Sequence, residues 1–233
     1  MPLTHGSKFE KRNMGFTKSF IFFCLWACLA IFCVKYWMKT KTYVFDAKDI
    51  SDITKKHLKS GGSPERIFGK VAFHLDQAYP GHILPVQDQE WVFMYAGGWK
   101  ASMCLLHASL TEYILFFGTA VDTSGHSGRY WANISDTLIS GKFTQWKEGS
   151  LQTTVYKPGD HVIHVQGEVT VVSWEANTWM VEYGRGFLPS ALGFTLSDTV
   201  FSSQDIVHVG KILYLYAKAL WQELLLFGNE LKS

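Results

Sequence analysis

The folded part of this 233-residue chain lacks a cysteine pair that could close a disulfide. Of the four cysteines, Cys24, Cys28 and Cys33 fall in an apolar N-terminal run and Cys104 stands alone beyond it. Cysteine usage therefore says nothing firm about the redox compartment. A surplus of one charge is also missing: the net charge is only +2, and the basic residues are too scattered to make the concentrated face that nucleic acid requires. There is no Gly-Lys-Ser phosphate loop, no Gly-x-Ser-x-Gly elbow, no dinucleotide fingerprint and no His-Glu-x-x-His pair. Standard nucleophilic and nucleotide chemistries are unsupported, and no cofactor is expected. Two of the nine histidines, His161 and His164, share one strand-like run. Three positions apart on a strand they face opposite ways, so they cannot chelate one ion, and no metal site is expected.

What is present begins with hydrophobicity. With 47% hydrophobic and 18% charged residues, the chain can bury one sizeable core. Residues 20–34 carry no charge, and continuing through Lys35, Tyr36, Trp37 and Met38 nearly reaches the ~20 residues a spanning helix needs. Lys35 can snorkel to the headgroups, and Tyr36 and Trp37 suit an interfacial aromatic belt. A cleaved signal peptide competes, because Lys8, Lys11, Arg12 and Lys18 form a plausible basic region. The bulky residues after the run offer no small-residue cleavage site, which favours a retained anchor. The expected layout is a basic tail over 1–19, a transmembrane helix over 20–38 and a folded domain over 39–233. Lys and Arg are evenly divided across the span, so the positive-inside rule gives a draw; the signal-anchor arrangement favours a cytoplasmic N-terminus.

Beyond the anchor, Asp46 and Asp49 mark a helix start, with Ile50, Ile53 and Leu58 as its stripe and Gly61-Gly62 as its end. Ser63 and Pro64 open a second helix carrying Ile67, Val71 and Leu75, and Tyr79-Pro80-Gly81 stops it. Residues 103–117, apolar on most of their circumference and closed by Gly118, are expected to form a third, buried helix. From Gly141 to Tyr183 the pattern turns to short β-rich runs at 153–156, 161–165, 169–174 and 179–183, broken by turn residues. This spacing predicts a sandwich or small barrel, which could hold one small ligand. Pro189 opens a short helix with Leu192, Leu196 and Val200. Residues 203–231 give a final helical region with Ile206, Val209, Leu213, Tyr216, Leu220 and Leu224 near one face. Its apolar residues exceed one stripe, which fits either a membrane-interface helix or one buried in the core or an oligomer contact. The class is α+β.

The unusual chemistry is acidic. Glu182 shares its strand face with Met180 in an otherwise apolar run. It is either at a solvated strand end or buried, and if buried it must pair with a cation or share a proton with another acid. Asp136 is the candidate partner.

Several blocks are more specific. Pro80-Gly-His-Ile-Leu-Pro85, Gly97-Gly-Trp99, Met103-Cys-Leu-Leu-His-Ala-Ser109, Gly125-His-Ser-Gly-Arg-Tyr-Trp131, Ile134-Ser-Asp136 and Asn177-Thr-Trp-Met-Val-Glu-Tyr-Gly-Arg-Gly186 resemble, in order, the family shared by the sigma-1 receptor and the fungal sterol C8–C7 isomerases. The resemblance runs from about Tyr43 to Phe201 and more loosely to the C-terminus. It implies a cupin-like β-barrel flanked by helices behind a single N-terminal transmembrane helix, with C-terminal amphipathic, membrane-adjacent helices over about 200–231. It also implies a homotrimer at the endoplasmic reticulum membrane and nuclear envelope, reaching other membranes.

By the same resemblance, Glu182 pairs with a ligand's basic amine, protonated Asp136 hydrogen-bonds it and Tyr113 helps hold it. Met103, Leu105, Phe117, Ile134, Trp174, Leu192 and Tyr216 line the pocket, with Trp99 and His164 near it. The implied ligands are hydrophobic cationic amines, sterols or sphingoid-type lipids. Membrane lipid, ion channels and endoplasmic reticulum chaperones are the implied partners, and the activity is ligand-regulated and chaperone-like, touching calcium signalling and lipid transport. No catalytic residue is expected on this branch; the alternative is an isomerase with Glu182 and Asp136 as its acid/base pair. Lys100, Asp122, Asn133, Ala191 and Thr195 depart from the receptor pattern. Asn133-Ile134-Ser135 is a formal glycosylation sequon, expected to be folded away beside Asp136.

Overall fold

The computed structural model describes residues 6–230. The first five positions of the expected basic tail, and residues 231–233 with Leu231 of the final helical region, lie outside the described residues. Two compact units result, residues 1–42 and 43–233.

The first unit is one helix, α1 (Gly6–Thr40), so the described part of the basic tail is already helical. Its stretch Lys18–Thr40 is long and apolar enough to cross a membrane: 23 residues at 1.5 Å rise make about 35 Å against a hydrocarbon core of about 30 Å. Phe20, Phe22, Phe23, Leu25, Trp26 and Phe32 are all exposed. A helix apolar all round is a membrane span or a deeply buried element, and this one is not buried. The chain is membrane-anchored through this helix.

In the second unit, α2 (Ala47–Lys59) is capped by the Asp46 carboxylate, which accepts the Lys48 and Asp49 N–H groups. Helix α3 (Pro64–Ala78) starts with proline at its first turn, where no N–H is needed. The expected stripe of α3, Ile67, Val71 and Leu75, is buried; on α2 Ile50 is buried with Ser51 and Thr54, while Ile53 and Leu58 are half-buried against the outer core.

Ten strands then build two antiparallel sheets. In chain order they are β1 (Trp91–Ala96), β2 (Trp99–Ala108), β3 (Glu112–Thr119), β4 (Thr123–His126), β5 (Ala132–Ser140), β6 (Phe143–Lys147), β7 (Thr153–Tyr156), β8 (His161–His164), β9 (Thr170–Trp174) and β10 (Thr178–Gly186). The larger sheet runs β1-β2-β3-β10-β5-β8 and the smaller β4-β9-β6-β7. Two C-terminal helices follow, α4 (Pro189–Phe201) and α5 (Ile206–Glu230).

The expected helix over 103–117 is instead the hairpin of β2 and β3. Its turn is held by the Ser109 hydroxyl, which accepts the N–H groups of Thr111 and Glu112. The run is apolar all round because the sheet is buried on both faces. Met103, Leu105, Leu115 and Phe117 enter an inner core, whereas Cys104, Leu106, Ile114 and Phe116 enter an outer one beneath α2 and α3. A strand covered on both faces loses the polar alternation that distinguishes it from a buried helix.

Helix α5 also corrects its expected face. Ile206, Leu213 and Leu224 are exposed, and the buried line is Ile212, Leu215 and Ala219. With apolar residues in excess, periodicity cannot choose the stripe; polar contacts to the segment after α3 do. Lys218 Nζ pairs with Asp88 at 2.6 Å, and Gln222 Nε2 donates to the Gly81 and Ile83 carbonyls at 2.6 and 3.1 Å. The opposite face keeps Tyr214, Trp221, Leu225 and Phe227 exposed. One helix thus has a core face and an apolar outer face.

Candidate functional site: an acid pair in an apolar pocket

The inner core surrounds a cavity of about 150 Å³ walled by both sheets and closed by α4 and α5. Its position follows from strand alternation. On β10, Met180 and Glu182 point inward while Val181 and Tyr183 point to the outer core. On β5, Ile134 and Asp136 point inward. Antiparallel register places Glu182 directly opposite Asp136, and such partners hold their Cβ atoms about 4.5–5.5 Å apart.

Tyr113 of β3 reaches the pair from the other side, its hydroxyl donating to Glu182 Oε1 at 2.5 Å. To do so its ring crosses β10 at Gly184, the register partner of Tyr113. A Cβ there would lie 2.2 Å from Tyr113 Cε1, so only glycine lets the phenol through. Gly184→Ala is therefore expected to displace Tyr113 and to weaken binding at Glu182 about tenfold, the cost of losing one hydrogen bond to a charged group. Comparing that loss with the loss in Tyr113→Phe checks it, since the two changes remove the same bond and their effects should not add.

Burial first, and then the charge of Asp136, push the Glu182 carboxyl far above the ordinary carboxylate range, against the Tyr113 hydrogen bond that favours its ionised form. Burial followed by the nearby Glu182 charge raises Tyr113 well above its ordinary value, so it remains a proton donor. Tyr130, whose hydroxyl donates to the Ser127 carbonyl at 3.1 Å, is raised for the same two reasons. Asp136 has His164 Nε2 at 3.2 Å from its Oδ2, while its Oδ1 is buried without a hydrogen-bond partner. His164 Nδ1 lies 3.0 Å from Gln145 Nε2, which with Tyr156 forms a polar strut behind the acids.

The rest of the wall is aromatic or aliphatic. Trp174 lies 5.2 Å from Phe143, 5.5 Å from Phe117 and 5.7 Å from Trp99, centroid to centroid. Such faces suit a cation as well as apolar surface. All twelve expected site residues line this one cavity: Glu182, Asp136, Tyr113, Trp99, Met103, Leu105, Phe117, Ile134, His164, Trp174, Leu192 and Tyr216. Sequence reading missed Tyr130, Phe143, Met180, Phe194 and Ile212 as wall residues. Met180 could have been found, because it was already on the Glu182 face; Tyr130, Phe194 and Ile212 depend on loop and helix placement, and Phe143 on how the smaller sheet packs over the larger.

The departures from the receptor pattern divide by position. Ala191 and Thr195 line the pocket on α4. Lys100, Asp122 and Asn133 are exposed outside it. Asp122 Oδ1 accepts the Ala176 N–H at 2.7 Å, and Asn133 Oδ1 accepts the Gln166 N–H at 2.8 Å. Asn133 is thus exposed rather than folded away, because it points outward from β5 while Ile134 points in. His126 serves its turn, with Nδ1 accepting the Gly128 N–H at 2.9 Å.

Fold and site together define an anchored α+β protein whose barrel interior is an apolar pocket holding one acid pair. The chain belongs to the family described as ERG2 and Sigma1 receptor like protein, whose model matches residues 21–227. It is 54% identical over 195 residues to sigma non-opioid intracellular receptor 1 of Taricha granulosa, covering 84% of this chain and 86% of that one. Against the protein of the same name from Danio rerio it is 54% identical over 197 residues, covering 84% and 88%. A C-8 sterol isomerase from Aspergillus fumigatus is 34% identical over 165 residues, covering 70% and 68%. These receptor relatives are much the nearer, which sets the chain on the receptor side of the family and not among its enzymes. Among solved structures, an RmlC-like cupin from Shewanella frigidimarina covers 46% of this chain and 90% of its own at 12% identity and a TM-score of 0.37.

Proposed function

We propose that this chain is a membrane-anchored receptor of the sigma-1 type that holds a hydrophobic amine, sterol or sphingoid-type lipid in the barrel, with Glu182 as counter-ion to a ligand ammonium. The observation that carries this reading is the Glu182–Asp136 pair, opposed in register on β10 and β5 inside walls that are otherwise apolar. Two adjacent buried acids cannot both ionise cheaply, so they share a proton. Without a ligand, burial and the facing Asp136 charge favour the protonated form of Glu182. An ammonium beside Glu182 reverses that preference, and the proton passes to Asp136, which then donates back to the ionised Glu182. The cation meets one fixed negative charge in a dry, low-dielectric site, where such a pair is strongest.

In the cell the reading extends to a ligand-regulated, chaperone-like modulator of ion channels and endoplasmic reticulum chaperones, assembled as a homotrimer in the endoplasmic reticulum membrane and nuclear envelope. The exposed apolar face of α5 supports contact with membrane lipid.

The test compares a hydrophobic tertiary amine with a neutral isostere in which carbon replaces the nitrogen, both titrated into purified full-length protein. The amine is expected to bind at least a hundredfold more tightly, and equal affinities would overturn the counter-ion role. Sterol turnover by the same preparation would instead favour the isomerase reading, for which the relationship to a C-8 sterol isomerase is the supporting observation.

A further inference from the structure

A second cluster of chemistry lies outside the pocket, where three elements distant in sequence meet. His82 follows α3, His107 is on β2 and Glu223 is on α5. Their donor atoms all fall within 4.8 Å of one another. His82 Nδ1 is 3.1 Å from each Glu223 carboxylate oxygen, and His107 Nδ1 is 3.4 Å from Glu223 Oε1. The His82 carbonyl oxygen lies 2.9 Å from His107 Nδ1. Side-chain exposure is 1% at His107, 18% at Glu223 and 22% at His82, so the cluster is enclosed but reachable from solvent at one side. Burial works to raise the Glu223 carboxyl, yet hydrogen bonds from His107 and His82 hold it down at about 2.

We propose that His82, His107 and Glu223 form a binding site for one zinc-class divalent ion, which clips α5 to the barrel. The donor set is two imidazoles and a carboxylate, the set that suits zinc with a fourth position open. Bonds of 2.0–2.1 Å at tetrahedral angles put neighbouring ligand atoms roughly 3.3 Å apart; the two spacings to Glu223, 3.1 and 3.4 Å, are close to that value, and all three ligand atoms lie within 4.8 Å of one another. To bind through Nδ1, His107 shifts its proton from Nδ1 to the buried Nε2, giving up the hydrogen bond to the His82 carbonyl, and water takes the open position. The His107 ring is wedged against Phe45 at 4.6 Å between centroids, which fixes its plane. Sequence spacing could not reveal the site, because its members stand 25 and 116 positions apart, at 82, 107 and 223. The site matters to the pocket through α5, whose Ile212, Leu213 and Tyr216 form one wall of it.

The experiment uses full-length protein in detergent, stripped with chelator and titrated with zinc, and in parallel with cobalt(II), whose visible absorption reports four-coordinate nitrogen and oxygen ligation. One equivalent of metal is expected, with Tm rising by about 5 °C at a hundredfold excess over the dissociation constant. His107→Gln and Glu223→Gln should each lose the equivalent and the cobalt bands. His57→Gln, which alters the separate His57–His74 contact between α2 and α3, should keep both. Tertiary-amine binding by each variant checks that it has folded, and the wild-type cobalt spectrum stands even if a variant has not. Absence of stoichiometric binding by wild type at tens of micromolar metal, or its loss in His57→Gln, would overturn the site and leave the triad as a hydrogen-bonded contact only.

Discussion

Glu182→Gln is expected to reduce the affinity for a hydrophobic tertiary amine by a hundredfold or more while leaving the fold intact. Removing one partner of a buried ion pair costs roughly 3–5 kcal/mol, and each 1.4 kcal/mol is about a factor of ten. Asp136→Asn should weaken binding less, because asparagine can still donate a hydrogen bond to ionised Glu182 but no longer takes up the shared proton. Stability separates this from simple misfolding. The folded Glu182 holds its proton to higher pH than an ordinary glutamate. Its contribution to stability is therefore fully present below the unfolded value and is lost as pH rises through the raised folded one. Glutamine never ionises, so the variant's Tm should match or exceed that of wild type, by a margin that widens as pH rises from the ordinary carboxylate range toward neutrality. A variant that lost amine binding and Tm together at neutral pH would contradict the assignment.

The second large effect belongs to a different acid. Glu112 is 1% exposed, and its carboxylate accepts the Val44 and Phe45 N–H groups at 2.9 and 3.1 Å and the Tyr183 hydroxyl at 2.8 Å. The same hydroxyl, with one proton shared between two acceptors, lies 3.1 Å from the Phe45 carbonyl. These bonds tie the first residues of the folded unit to β3 and β10. Glu112→Gln puts an amide NH₂ where donors already converge, so at least one of these donors is left without its acceptor. Bonds to charged groups carry about 1.5–3 kcal/mol each. A loss of roughly 3 kcal/mol is expected, a fall in Tm of about 6–12 °C for a domain of this size. Thermal unfolding by tryptophan fluorescence measures it. Because Glu112 lies on the outer side of the sheet, amine affinity measured well below the transition should change little, the opposite signature to that of Glu182→Gln.

How much of this was legible in the sequence depends on how each element is buried. Helices α2 and α3 could be read because each has one wet face and a local start signal, Asp46 and Pro64. The strands 153–156, 161–164 and 170–174 could be read because turn residues separate them. The β2–β3 hairpin could not, since two cores erase the alternation, and its one local signal, the Ser109 turn, is weak. The stripe of α5 was misplaced because side-chain contacts to Asp88, Gly81 and His82, all more than 100 positions away, set its rotation. In the pocket, Glu182 stood out from its own neighbours, but its opposition to Asp136 is a property of register. Only the resemblance to a family brought the twelve wall residues together in advance. Glu112 and the His82–His107–Glu223 cluster went unremarked as sites, because nothing local distinguishes a buried acid or histidine from a solvated one.

Strand β10 lies in the middle of the larger sheet and carries unlike duties on its two faces. Glu182 looks into the cavity, and Tyr183, the next residue, holds the start of the folded unit through Phe45 and Glu112. A slip of one residue against β3 or β5 would exchange them, turning the carboxylate toward the helices and the phenol into the cavity. Attempts to transplant the amine site into another barrel must therefore import its outer latch as well, and selection for a tighter latch constrains where the carboxylate can stand. Carboxylate and latch phenol thus sit on one nine-residue strand, Thr178–Gly186, although their partners Asp136, Tyr113, Glu112 and Phe45 stand outside it.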